Sequence, residues 1–247
     1  MALIFAMALL WESARIIGGY SELLLPSISV VAYSLLMEKA ELLKNAAYSL
    51  KLIGFGLAVA VVLAMLLAIL CMSSRALQGL FTDVMAVMHP LPGIAILPVA
   101  ILWFGIGVNS VVFVIVFSAV WPLLNHFYTG FRSIPKNQVE VGKNLGLSGA
   151  KLAFYVMLPA SLPHILGGLR TGWARAWQAS VAAELVFGAA GGHGGLGWYL
   201  YKKRFMMETP GVFAGMLVII AIGLVVEYFI FATLENLTVK KLKQVID

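Results

Sequence analysis

The chain has 247 residues, 62% of them hydrophobic and only 11% charged, with a net charge of +6. Soluble domains carry about 25% charged and about 45–50% apolar residues, so this composition excludes an ordinary soluble domain and points to an integral membrane protein. The basic residues flank apolar segments and read as topology signals, which excludes nucleic acid as the partner. The lone cysteine, Cys71, excludes a disulfide framework.

The length suits one domain, 1–247. The opening Met1–Leu10 run lacks the basic start and small-residue cleavage site of a signal peptide and reads as a retained span. A span needs about 20 apolar residues to cross about 30 Å of hydrocarbon. Six segments are candidates: Ala2–Ile17 (interrupted by Glu12), Leu50–Met72, Phe81–Phe104, Val108–Tyr128, Leu162–Phe187 and Gly211–Leu234. Lipid tolerates no open sheet, and the alternation of barrel strands is missing. The expected fold is therefore all-α, with six transmembrane helices.

Between the first two spans, Ser27 follows Pro26 as a helix cap. Ile28, Val31, Leu35, Leu36 and Leu42 recur at helical spacing beside Glu38, Lys39, Glu41 and Lys44, so Ser21–Asn45 reads as an amphipathic interfacial helix. The third span contains His89-Pro90-Leu91-Pro92-Gly93, which breaks a helix. Broken backbone at membrane depth persists only where it is buried in protein or faces a water-filled cavity. His89, Pro90 and Pro92 thus become candidates for lining a solute pathway. A simple kink, or a loop between two short helices, is the alternative.

A polar island runs from Ser133 to Lys151. Ser133 is expected to cap a first short helix, with Pro135 in its first turn. Glu140, Lys143 and Asn144 fall on one face. Gly146 is expected to end this helix as a left-handed residue. Ser148 is expected to cap a second helix, Ala150–Met157, which Pro159 stops. An amphipathic helix-turn-helix in water suits docking into a groove, and spacing alone leaves an inert connection equally open.

The fifth span carries Arg170, Arg175 and Glu184. Such charges cost about 2.5–3.5 kcal/mol each, so they face the interior or a partner. Arg175 and Glu184 are nine residues apart, about two and a half turns, and cannot pair. Both are pathway candidates, Arg175 as an attractor of an anionic solute. The alternative has the arginines bonding helix ends or a neighbouring subunit. Gly191-Gly192-His193-Gly194-Gly195 reads as an external loop. Placing the polar island in the cytoplasm puts Arg75, Arg132, Lys136, Lys143, Lys151, Lys240, Lys241 and Lys243 there, with both termini. Lys202-Lys203-Arg204 then falls outside, against that rule. No phosphate-binding G-x-x-x-x-G-K-[ST] loop, catalytic set or metal-ligand spacing is present, so neither enzymatic activity nor a bound cofactor or metal is expected.

Glu140, then Gly146 six residues on, then Val156-x-Leu158-Pro159 ten residues further, resembles the EAA loop of ABC-transporter permeases. Val141 and Gly142 stand where two alanines are usual. Leu23–Ser27, Leu102–Gly107, Gly167–Arg170, Arg175-Ala176-Trp177, Ala182–Leu185 and Gly195-Leu196-Gly197 are similar to the nitrate/sulfonate/taurine/bicarbonate branch of these permeases. The resemblance implies a type I importer permease in the bacterial inner membrane, paired with a second permease, a homodimer being favoured. It also implies two cytoplasmic ATPase subunits holding ATP and Mg²⁺, an extracytoplasmic solute-binding protein and a small anionic solute. The coupling loop would be residues 133–159, with Glu140, Val141, Gly142, Lys143, Gly146, Val156, Leu158 and Pro159 facing or shaping the ATPase contact. Aromatic or vitamin-type solutes are the alternative cargo. A self-contained secondary transporter would show paired broken helices in two halves, and only one broken span is visible.

Overall fold

The computed structural model describes residues 2–188 and 194–240, and among them every regular element is helical. In chain order these are α1 (Ala2–Gly18), α2 (Ile28–Met37), α3 (Lys39–Ser73), α4 (Arg75–Met88), α5 (Leu97–Phe104), α6 (Val108–Arg132), α7 (Lys136–Asn144), α8 (Gly149–Leu152), α9 (Leu158–Phe187), α10 (Leu196–Phe205), α11 (Thr209–Val225) and α12 (Ala232–Glu235). Each of the six expected spans falls on helices. By length and composition Lys39–Ser73, Val108–Arg132 and Thr209–Thr238 qualify as three single spans, and α4 with Gly93–Phe104 makes a fourth if that bent pair is one span. Helix α1 has 17 residues; α9 has 30 but carries Arg170, Arg175 and Glu184.

Small residues set the centre of the bundle. On α3, Gly56, Ala60, Ala64 and Ala68 recur every fourth position and are buried. A Cβ on Gly56 would lie 2.5 Å from Ile115 of α6. On α9, Gly168 and Gly172 admit Phe127 and Leu123 of α6: added Cβ atoms would stand 3.3 Å and 2.9 Å from those side chains. Ala176 and Ala183 continue the same contact with no exposure. Small-xxx-small stripes let helices approach closely, which is how they gain packing energy in lipid. Helix α6 is the shared partner, and α3 and α9 pack on it.

The interfacial helix expected over Ser21–Asn45 is two helices instead. Ser27 does cap α2, its Oγ accepting the Val30 N–H at 3.4 Å. The chain then turns at Glu38 (φ −100°, ψ 13°), and Lys39–Asn45 becomes the start of α3. The corner is held from a distance. The Glu38 carboxylate accepts Tyr199 O–H at 2.6 Å and Lys203 Nζ–H at 2.7 Å, both from α10. Lys203 also pairs with Glu208, and Lys202 with Glu41. Lys203 is only 7% exposed. The lysines that ran against the topology rule are therefore largely neutralised where they stand, as internal ion pairs.

The two charges of this cluster shift in opposite directions. Burial pushes the Glu38 carboxyl up, and hydrogen bonds from Lys203 and Tyr199 outweigh it, holding the group below its ordinary 4.5. Burial pulls Lys203 down, and Glu208 and Glu38 outweigh that, holding it above its ordinary 10.5. A depressed carboxyl stabilises the fold above its unfolded pKa and ceases to as pH falls through the folded one; a raised lysine stabilises below its unfolded pKa and ceases to as pH rises through the folded one. The detergent-solubilised protein should therefore melt at a constant temperature across neutral pH and lose stability below about pH 4. Glu38→Ala, which leaves the buried Lys203 ammonium with Glu208 alone, should cost about 1–3 kcal/mol and reduce that acid-side dependence, read as Tm against pH.

Candidate coupling and solute sites

The polar island folds as a helix-turn-helix, with three departures from expectation. Ser133 closes α6, its Oγ donating to the Gly130 carbonyl at 2.9 Å, and Pro135 takes the cap position of α7. The second helix is not a separate element. Helix α8 passes through a wide π turn, Ala153–Met157, directly into α9. Pro159 does not stop it but occupies the first turn of α9, where a missing N–H is tolerated. The widened turn ahead of it spreads the carbonyls that a proline ring would otherwise meet four residues back.

Gly146 does adopt the left-handed conformation (φ +78°). The Leu147 N–H donates to Gly142 O at 3.0 Å and the Gly146 N–H to Lys143 O at 2.9 Å, the paired bonds of a Schellman ending. Gly142 is buried; a Cβ there would be 2.7 Å from Leu152 and 2.9 Å from Val156. Glycine thus lets α7 lie close on the α8 segment, at the position where the sequence departs from alanine. The same packing turns Glu140, Val141, Lys143 and Gly146 outward, all exposed. Val156 and Leu158 are half-buried, and Pro159 is exposed. A groove of about 670 Å³ lies along the loop, lined by Pro135, Gln138, Val141, Leu145, Tyr155 and Val156 among others.

The pathway candidates separate into two places. The break at His89–Pro92 is present, and the two helices it joins bend by 96°. His89, Pro90 and Pro92 are exposed on the single chain. Arg175 is exposed on α9 and has no hydrogen-bond or ion-pair partner among the described residues.

Glu184 is elsewhere and fully buried. Its carboxylate accepts the Gly195 N–H at 3.1 Å and the Gly197 N–H at 2.9 Å, while Ser49 Oγ accepts the Leu196 N–H at 2.9 Å. A buried carboxylate and a hydroxyl thus satisfy the orphan donors at the N-terminus of α10, where a negative charge is favoured. The two glycines are required by approach: a Cβ on Gly195 would be 2.1 Å from Ser49 Oγ, and one on Gly197 2.5 Å from the Val181 carbonyl.

Arg170 pairs with Glu227, 57 residues away. His193, Lys241 and Lys243 lie outside the described residues.

Bundled helices of which three or four are long and apolar enough to cross a membrane, one of them broken, are those of a multi-pass membrane protein. The family model for the "Binding-protein-dependent transport system inner membrane component" matches residues 56–237, and the chain belongs to that family. Its relatives place it with ABC-transporter permeases of the nitrate, taurine and bicarbonate branch. The taurine transport system permease protein TauC of Escherichia coli is 31% identical over 81% of this chain and 71% of its own. The riboflavin transport system permease protein RibX of Chloroflexus aurantiacus is 33% identical over 67% of this chain and 60% of its own. Among solved structures, an amino acid ABC transporter shares the fold with TM-score 0.61 and 17% identity, covering 83% of this chain and 95% of that one.

The close contact at Gly197 gives a direct test. The Val181 carbonyl is backbone and cannot swing aside, so Gly197→Ala should destabilise by about 1–3 kcal/mol through overpacking. The expected reading is a lower Tm and a larger aggregated fraction on size exclusion in detergent. An unchanged Tm would contradict the packing described for α10.

Proposed function

We propose that two copies of this chain form the membrane pathway of an importer for small anions, of the nitrate, sulfonate/taurine or bicarbonate class. Two cytoplasmic ATPase subunits, holding ATP and Mg²⁺, drive it, and an extracytoplasmic solute-binding protein delivers the cargo. The whole chain acts as one permease domain, with residues 133–159 as its coupling loop and both termini on the cytoplasmic side. The observation that carries this reading is the loop itself. Glu140, Val141 and Lys143 point out from a helix locked by a Schellman ending and by the Gly142 contact. A rigid exposed helix is suited to a groove on a soluble partner, and closure of the ATPase pair would bias the permease between two states through it. Internal pairing of Lys202 and Lys203 supports the orientation, because those charges answer to Glu41, Glu38 and Glu208.

The solute has a second reading. The match to a riboflavin permease favours an aromatic or vitamin-type cargo carried by the same machinery.

Glu140→Ala tests the coupling role. Glu140 is exposed and makes no contact the fold depends on, so the variant should keep its Tm. In the reconstituted complex, solute-stimulated ATP hydrolysis and uptake should both fall at least fivefold, about 1 kcal/mol of coupling. Full stimulated hydrolysis and uptake in that variant would refute the assignment.

A further inference from the structure

The break at His89–Gly93 is seated on the bundle. It lies in the groove along one side of the α6–α9 contact: a Cβ on Gly93 would stand 1.8 Å from Ser118 Oγ of α6 and 3.5 Å from Ala179 Cβ of α9. His126 borders the same groove, its ring 3.4 Å from where a Cβ on Gly167 would be. Helical spacing fixes what else faces this side. Asn125 and Thr129 follow Ser118 by seven and eleven residues; Arg175 precedes Ala179 by four, and Gln178 follows Arg175 by three, so both sets line the lips of the groove. Asn125, Thr129, Arg175 and Gln178 are exposed, and His126 is half-buried.

These groups have uncommitted donors. The Ser118 hydroxyl donates to Val114 O at 2.6 Å and the Thr171 hydroxyl to Gly167 O at 3.0 Å, so each is spent on its own helix. Asn125, His126, Arg175 and Gln178 have no hydrogen-bond partner among the described residues. None of them is acidic, and the nearest carboxylate along α9, Glu184, is turned into α10. A guanidinium presents a planar fork of N–H donors that matches two oxygens of an oxyanion, and imidazole and amide groups add single donors beside it.

We propose that this groove is an oxyanion subsite of the solute pathway, with Arg175 as its charge anchor and Asn125, His126 and Gln178 as flanking donors beneath the His89–Pro92 break. The subsite rests on the importer reading above and adds to it the residues that choose among anions.

The test uses the whole complex, this permease with its ATPase and solute-binding partners, in proteoliposomes. Uptake of taurine, nitrate and bicarbonate is measured, with riboflavin as the uncharged comparison and co-purification of the ATPase as the record of assembly. The parent should take up at least one anion. Arg175→Gln should lower that uptake at least tenfold in an assembled complex, with Arg175→Lys retaining part of it. Gln178→Ala or His126→Gln should change the ratio between anions at least threefold. Uptake within twofold of the parent in Arg175→Gln would overturn the subsite alone. If Arg175→Gln does not assemble, Gln178→Ala and Arg175→Lys decide, and an unchanged ratio between anions in both overturns it. A parent that carries riboflavin and none of the three anions would overturn the anionic-solute reading and the subsite together.

Discussion

Helices in lipid gain nothing by moving an apolar side chain from hydrocarbon to another apolar surface, so what holds them must come from contact at short range and from polar groups that have nowhere else to go. Here both operate along α6. The four-residue stripe Gly56, Ala60, Ala64 and Ala68 brings α3 in on one side. Gly168, Gly172, Ala176 and Ala183 bring α9 in on another. Replacing hydrogens by side chains along either stripe would push the helices apart before any polar contact could form. The seat of the broken span against Ser118 and Ala179, and the lip of the groove beside it, exist because these three helices meet so closely.

The polar groups are placed in a second layer around that contact. Glu184 and Ser49 come from α9 and α3, and together they bind the start of α10. The far end of α10 carries Lys202 and Lys203, which close on the α2–α3 corner through Glu41 and Glu38. One ten-residue helix is thus tied at both ends to helices that are distant in sequence. A charge without such a tie is conspicuous in this setting, since burial in lipid without a partner is costly. Arg175 has no such tie among the described residues.

Local signals were legible where the chain answers to its own neighbours. Ser27 after Pro26 marks the α2 cap, Gly146 marks the left-handed end of α7, and the two prolines after His89 mark the break; each depends on a few adjacent residues. The all-helical class follows from composition. What the sequence concealed is long-range. Nothing near Glu38 announces that Tyr199 and Lys203 will turn the chain there. Nothing near Glu184 announces glycines eleven and thirteen residues on as its partners. Pro159 misleads for a different reason: it falls in the first turn of α9, where proline is tolerated, and the wide turn Ala153–Met157 ahead of it is a property of packing. The family motif pieces Ala182–Leu185 and Gly195–Gly197 were visible as separate strings, and only the fold shows that they are the two halves of one junction.

The uninterrupted passage from α8 through the π turn into α9 has a mechanical consequence. Val156, beside the outer loop, and Arg175, beside the groove, belong to a single rod and stand about 28 Å apart along it. The two positions are therefore joined by one helix, whose backbone hydrogen bonding is interrupted only at Pro159 and Pro163. The wide turn at its base acts as a collar, setting how much of an applied torque bends the rod and how much turns it.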